Sequence, residues 1–339
     1  MNKIISIIIP TYNMDKYLYS CLSSLLIAEY MDVIEVIVVN DGSTDASLPI
    51  AEKFRDEHPD SFVLIDKPNG NYGSCVNAGL EVATGKYVKI LDADDTFDTS
   101  NFEYLVHVLG QIDVDLVITR LTKTYPDGTE KQKPIRLPAN NILKFTDICR
   151  RRDVSGLWMH EVAYRRSMLQ DAGYRQTEGI SFTDQEWVSV PMMHVHTAYF
   201  IDRPVYRYLL GREGQTMDSK VYRKTFAQNI ICTCNILTEQ AAVGNVEPEV
   251  RRMLNAKMLG RIRLIYKNCL VRYRDIDENE LLRLDATLRE KNNAVYAMSN
   301  NTLLSRPLFC LPYIRIWRRN RHSRFLMFVI HAYLYTKRL

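Results

Sequence analysis

The first 118 residues alternate short apolar runs with longer stretches of helical periodicity. The runs are Ile4 to Ile9, Ile34 to Val39, Phe62 to Ile65, Tyr87 to Leu91 and Leu116 to Ile118. They are rich in β-branched residues and apolar at successive positions, as a strand reads when both faces of its sheet are covered. Between them, Tyr17 to Tyr30 and Ala46 to Glu57 are long enough for the crossover helices that parallel neighbours require. The pattern predicts an α/β fold with a doubly wound, mostly parallel sheet. After residue 118 the alternation stops, and Lys123 to Arg136 brackets Pro126-Asp127-Gly128 as a hairpin would. Residues 140–220 mix short helical and extended patterns. From about Tyr222 the chain reads as helical, most clearly over Glu247 to Tyr273 and Glu278 to Asn292. The reading therefore divides the chain into a sheet domain, 1–220, and a helical C-terminal region, 221–339.

Composition narrows the classes. At 339 residues with 46% hydrophobic, the chain fills a core of ordinary size, which excludes a disordered or fibrous protein. Its 44 basic and 40 acidic residues leave a net charge of +4, too balanced to make nucleic acid a partner. The seven cysteines lack CxxC spacing, and Met1 to Ile9 meets Pro10 too early for a signal peptide. Both observations point to a reducing, cytoplasmic setting. No stretch reaches the ~20 apolar residues of a membrane span, so membrane contact is expected to be peripheral.

Ligands of doubly wound sheets bind beyond the carboxyl ends of the strands, so the residues there carry the functional reading. The first strand ends in Pro10-Thr11-Tyr12-Asn13, where a dinucleotide fold would carry Gly-x-Gly-x-x-Gly and a nucleotidyltransferase a basic Gly-rich signature. The second ends in Asn40-Asp41-Gly42-Ser43-Thr44-Asp45. Ser43 or Thr44 can cap the next helix and Gly42 permits a turn; Asp41 is either a turn residue or an acceptor for base or ribose donors. After the third strand, Lys67 to Gly79 contains Gly70, Gly73 and Asn77. It reads as a plain glycine-rich loop or as a helix opening that offers N–H groups to phosphate, with Asn77 one turn in. The fourth strand ends in Asp92-Ala93-Asp94-Asp95. Three carboxylates at the mouth of a buried strand are costly without a cation, and Mg2+ or Mn2+ suits such ligands. The alternative is a helix cap with solvated charge.

Ser6 to Asn13, Val38 to Asp45, Asn77-Ala78-Gly79-Leu80, Gly85-Lys86-Tyr87 and Leu91 to Asp95, in this order and spacing, resemble the signature of family 2 glycosyltransferases with the GT-A fold. The resemblance covers the first third of the chain strongly and the stretch to about 220 weakly. It implies a nucleotide-sugar donor, most readily a UDP-sugar, with Pro10, Thr11, Tyr12, Asn13 and Asp41 on the nucleoside. Lys67, Gly73 and Asn77 would complete its pocket, Asp92 would lie at ribose or metal, and Asp94 on the Mn2+ or Mg2+. It also implies inverting transfer to a glycan or lipid-linked acceptor. Phe182-Thr183-Asp184-Gln185-Glu186-Trp187 resembles the family's acceptor-site element, with Asp184 as base, Glu186 as rival, and Thr183 where an acidic residue commonly stands. A Thr183–Glu186 capping box is the structural alternative. Trp158 and His160 offer a platform and an imidazole to sugar or acceptor, or are a buried Trp and a satisfied His. The stretch Arg212 to Thr216 is similar to a segment that closes over the donor, and Arg207 or Arg212 takes the diphosphate in this reading. A catalytically inactive nucleotide-binding scaffold and a nucleotidyltransferase are the competing classes; the complete acidic triplet argues against the first.

Residues 306–339 set a basic block, Arg318 to Arg324, between two apolar aromatic stretches. The pattern suits an interfacial helix on anionic lipid at the inner face of the membrane, or a helix pair packed on the rest of the chain.

Overall fold

A computed structural model describes residues 2–212, 218–273, 276–306 and 309–319. The chain forms two compact units, Met1–Thr216 and Met217–Leu339. The first is built on β1 (Ile5–Thr11), β2 (Ile34–Asn40), β3 (Phe62–Asp66) and β4 (Tyr87–Ile90), with α1 (Asp15–Ser23), α2 (Ser47–Glu57) and α3 (Asn71–Val82) in the connections. β1 lies parallel between β2 and β4, and β3 extends the parallel set beyond β2. Every residue of β1 and β2 is buried, which is why both read as unbroken apolar runs. α3 settles directly on β1 because Gly79 has no side chain: a Cβ there would stand 2.6 Å from Ile8.

The unit continues through β5 (Thr96–Phe97), α4 (Thr99–Leu109), β6 (Leu116–Thr124), β7 (Glu130–Gln132), β8 (Ile142–Lys144), α5 (Phe145–Ile148), α6 (Arg152–Ser155), β9 (Val162–Arg165), α7 (Arg166–Asp171), α8 (Asp184–Trp187) and β10 (Thr197–Leu209). The sheet runs β3-β2-β1-β4-β9-β6-β10-β5, with β7 on β6 and β8 on β10. β9 runs antiparallel to both β4 and β6, whereas β6 and β10 are parallel. At four residues, Val162–Arg165 is too short to show a period in the sequence. Its direction matters: reversed between β4 and β6, it brings the residues just before Val162 to the edge where β4, β6 and β10 end. The hairpin turn forms at Gly128, with φ +81 and the Asp127 carboxylate accepting from Thr129 N–H. α1 stops at Ser23, short of Tyr30, where the Ser24 hydroxyl donates to the Cys21 carbonyl.

The second unit contains α9 (Ser219–Lys224), α10 (Phe226–Ala242), α11 (Pro248–Lys267), α12 (Glu280–Lys291), α13 (Asn293–Ser299), a hairpin of β11 (Leu304–Arg306) and β12 (Phe309–Leu311), and α14 (Tyr313–Arg319). The two helical patterns of the sequence appear as α11 and α12, and α11 runs on into a π-helical turn at Asn268–Arg272. No described helix is long and apolar enough to cross a membrane. From residue 320 onward the proposed membrane segment lies outside the described residues. Its described start is packed: Tyr313, Ile314 and Trp317 are buried, and Arg318 donates to Asp285 at 2.7 Å. Arg318 therefore leaves the basic block.

Candidate functional site

The ends of β1, β2 and β3 meet around Asp41. This carboxylate is buried, and its Oδ1 accepts from Lys67 Nζ at 2.5 Å and from Gly70 N–H at 2.9 Å. Lys67 also donates to the Ser74 hydroxyl, so loop and α3 are clasped to the end of β2. Thr11 and Pro10 are buried in β1, while Tyr12 is 48% exposed and free to present a ring face. Asn13 has φ +53; its Oδ1 accepts from Thr44 N–H and its own N–H donates to the Ser43 hydroxyl. Ser43 and Thr44 thus brace β1's end and do not cap α2, whose N-cap is Ala46. Asp45 serves both helices instead, accepting from Asp15 N–H and Ser47 N–H.

Two residues assigned to this pocket turn inward. Asn77 donates to the Gln176 carbonyl and to Glu178 and accepts from Gln176 N–H, so it clamps the 176–178 segment. A Cβ on Gly73 would stand 2.1 Å from the Thr177 carbonyl oxygen. The close approach that this glycine permits is by the chain's own backbone and not by a ligand.

The acidic triplet separates into three environments. Asp92 is partly open; its Oδ1 accepts from Tyr72 at 2.7 Å, and its Oδ2 lies 3.6 Å from His160 Nε2. Asp95 is buried and accepts from the Tyr206 hydroxyl and Leu209 N–H, both at 2.7 Å. Asp94 takes the Arg212 guanidinium, which also lies over the Tyr17 ring. Burial, then the carboxylates of Asp94 and Asp92, push Asp95 well above the usual carboxylate range. Burial and Asp92 also raise Asp94, against the pull of Arg212. One ligand atom each from Asp92, Asp95 and His160 lies within 4.8 Å of the others. The expected metal pair was Asp92 and Asp94; in the fold His160 and Asp95 join Asp92, and Asp94 turns to Arg212. Two carboxylates and an imidazole suit a hard divalent ion such as Mn2+ or Mg2+.

His160 is stacked on Tyr208, with ring centroids 4.3 Å apart, and meets Tyr206 edge-on at 4.6 Å. Trp158 packs edge-on against His160 and Tyr208, so the two sequence candidates do share one wall. Beneath them Lys89 is fully buried in β4 and donates to the His160 carbonyl at 2.7 Å and to Val162 at 3.3 Å. Sequence reasoning missed Lys89, Tyr72, Tyr206 and Tyr208. A lysine inside the apolar run Tyr87 to Leu91 was the available signal for the first; the tyrosines carry none, because only the topology brings them together.

Asp184 opens α8 and accepts from Gln185 at 2.6 Å. Its charge reaches the same cluster: burial first, then Asp92, and to a lesser degree Asp184 raise the hydroxyls of Tyr72 and Tyr208. Phe182, just before it, sits at φ +72, a strained backbone for a bulky residue. Glu186 is held inside the fold. It is 3% exposed and accepts from Thr177 N–H at 2.8 Å and the Thr177 hydroxyl at 2.7 Å. Thr177 thus holds both oxygens of Glu186, and the capping box does not form, because Thr183 makes no cap bond. Arg207 pairs with Glu130 on β7, leaving Arg212 as the arginine beside the acidic cluster. Residues 213–216 of the expected closing segment lie outside the described residues.

A mixed α/β sheet with flanking helices and an acidic cluster at its strand ends defines the GT-A type of sugar-nucleotide transferase fold. Residues 6–173 match the model of Glycosyl transferase family 2, and the chain belongs to that family. It is similar to the uncharacterized glycosyltransferase YibD of Escherichia coli (strain K12), 30% identical over 226 residues, which are 65% of this chain and 64% of YibD. It is also similar to glycosyltransferase GlyG of Streptococcus pneumoniae serotype 4, 36% identical over 35% of this chain and 39% of GlyG. The matches thus span less than two thirds of these relatives' lengths. Among solved structures, S. aureus TarS residues 1–349 in complex with UDP-GlcNAc aligns with TM-score 0.73 at 19% identity, over 98% of this chain and 92% of that one. The Pyrobaculum calidifontis mannosyltransferase PcManGT, in complex with GDP-Man and Mn2+, aligns with TM-score 0.52 at 18% identity, over 88% and 79%.

Proposed function

We propose that the chain transfers a sugar from a UDP-sugar to a hydroxyl of a cell-surface glycan or lipid-linked intermediate, with inversion. The observation that carries this reading is the convergence of Asp92, Asp95 and His160 at the strand ends. Tyr12 and the Asp41–Lys67 cluster would receive the nucleoside. Arg212, already beside Asp94, would turn to the donor diphosphate. Asp92 and His160, backed by Asp95, would hold Mn2+ or Mg2+, which would offset charge on the departing diphosphate. Asp184 would take the proton of the acceptor hydroxyl as it attacks the anomeric carbon. The binding of UDP-GlcNAc by TarS, and of GDP-Man with Mn2+ by PcManGT, supports a nucleotide-sugar donor and a divalent ion.

Isothermal titration with UDP and GDP, with and without Mn2+, tests the donor half; binding of neither nucleotide would overturn it. Donor hydrolysis across UDP-sugars then identifies the sugar. The acceptor would be met at an anionic membrane surface through residues 306–339, even with Arg318 committed elsewhere. Sedimentation of the full chain with phosphatidylglycerol vesicles at low salt, and its release as salt rises, checks this; indifference to vesicle charge would end it.

A further inference from the structure

We propose that Lys123 and Trp158 form an acceptor subsite for glycans that carry an anionic group, a phosphodiester or a carboxylate. This deepens the glycosyltransferase reading and rests on it. Lys123 Nζ lies 4.5 Å from the centre of the Trp158 ring, and Lys133 Nζ lies 4.9 Å from the same centre. Two ammonium groups thus share one indole. Lys133 is committed to Glu161 and to the Gly156 carbonyl, each at 2.6 Å. Lys123 is half-buried, yet among the described residues no carboxylate pairs with it. Lys131 lies opposite it in the β6–β7 register and adds further positive charge. Glu161 therefore answers one ammonium, and the rim of the pocket keeps a surplus that an anion would complement.

The position fits an acceptor and not the donor. Lys123 is the register partner of Tyr208, Tyr208 stacks on His160, and His160 reaches Asp92. A row of side chains leads from the acidic cluster to Lys123, and Trp158 flanks its two rings. The Asp41–Lys67 cluster stands on the other side of β4, among β1, β2 and β3, whereas β6 lies beyond β9 in the opposite direction. A nucleoside seated at Asp41 points away from Lys123. An aromatic wall takes the apolar face of a sugar ring while a neighbouring ammonium takes its charged substituent.

The test is a titration of the full chain in saturating UDP and Mn2+, followed by the indole N–H resonance of Trp158 and repeated in raised salt. Three probes are compared: methyl phosphoglycerol, methyl glucuronide and neutral methyl glucoside. The anionic probes should shift the resonance, less so in salt, and the glucoside should not at equal concentration. Whichever anionic probe binds tighter names the source of the charge. Lys123→Gln should weaken that probe about fivefold or more, and Lys123→Arg should restore most of the loss. Equal response to the glucoside, no response to either anion, or a Lys123→Gln loss as large for UDP as for the probe would overturn the subsite. Failure of the underlying donor reading shows separately, as absence of UDP binding by the unsubstituted protein.

Discussion

Each unit of this protein buries carboxylate charge beside tyrosine, and the two solutions differ in what they leave over. In the second unit, Asp285 accepts from the Tyr266 hydroxyl and from Arg318 Nε, both at 2.7 Å. The guanidinium also donates to the Tyr296 carbonyl and to Asn300 and lies 3.9 Å from the centre of the Tyr296 ring. One negative group meets one positive group, and both are sealed, at 3% and 5% exposure. In the first unit, Asp92, Asp94 and Asp95 outnumber the cations around them, and Asp92 stays partly open. A closed pair stabilises and specifies a fold. An open, uncompensated cluster raises its own carboxylates and is relieved only when a ligand arrives.

The largest expected effect breaks the open cluster. Asp92→Ala removes the carboxylate that faces both Tyr72 and His160, and turnover should fall by ~10³-fold, about 4 kcal/mol of transition-state stabilisation. UDP binding in Mn2+ should weaken, while the melting temperature holds or rises because like-charge repulsion is relieved. Unchanged turnover would show that the cluster is not the reaction centre. Next comes the closed pair: Asp285→Asn leaves Arg318 buried without its counter-charge and should cost about 3 kcal/mol of stability. Urea denaturation checks this, and the opposite outcome, a neutral substitution, would mean that Arg318 reaches solvent.

The neighbouring carboxylates of α8 sharpen the contrast within a single turn of helix. Asp184→Asn keeps the shape and removes basicity, so turnover should drop by ~10²-fold with UDP affinity retained. Glu186→Gln weakens the two bonds from Thr177, so its effect should appear as about 1–2 kcal/mol of lost stability. Reversal of these two outcomes in parallel kinetic and melting measurements would move the base to Glu186.

Much of this arrangement was legible in the residues. The runs from Ile4 to Leu91 gave four parallel strands because β1, β2 and β4 are buried on both faces and the edge strand β3 is still largely apolar, and the acidic triplet stood out because charge at a buried strand end has no local use. What escaped depends on long-range topology. Val162–Arg165 is too short for periodicity, so nothing announced that its reversal would carry His160 to Asp92. Spacing along one segment singles out Asp94 and is blind to its pairing with Arg212, which is 118 positions away. Glu186 looked available for the same reason, because the Thr177 backbone that closes it off lies in a loop with no pattern of its own.

The most gradual expected effect concerns Lys89, a buried cation that anchors the His160 turn and, among the described residues, pairs with none of the cluster's carboxylates. Burial drives its ammonium down to about 7, with Glu161 pulling weakly the other way. In the unfolded chain the same group titrates near ~10.4. Between these values the unfolded state binds more protons than the folded one, so this group's contribution to stability rises with pH from about 7 to about 10 and is lost as pH falls. Lys89→Met keeps the stem's packing and cannot titrate. Relative to the variant, the unsubstituted protein should therefore gain at most about 1.4 kcal/mol per pH unit between pH 7 and 9, measured as the divergence of their urea midpoints. A constant difference would mean that the ammonium is solvated in the folded state. Methionine also cannot donate to the His160 carbonyl, so the turn that carries the imidazole loses its anchor. Mn2+-dependent UDP binding should weaken severalfold at pH values where stability matches the unsubstituted protein. A stable variant with unaltered Mn2+ dependence would assign Lys89 to packing alone and detach it from the site.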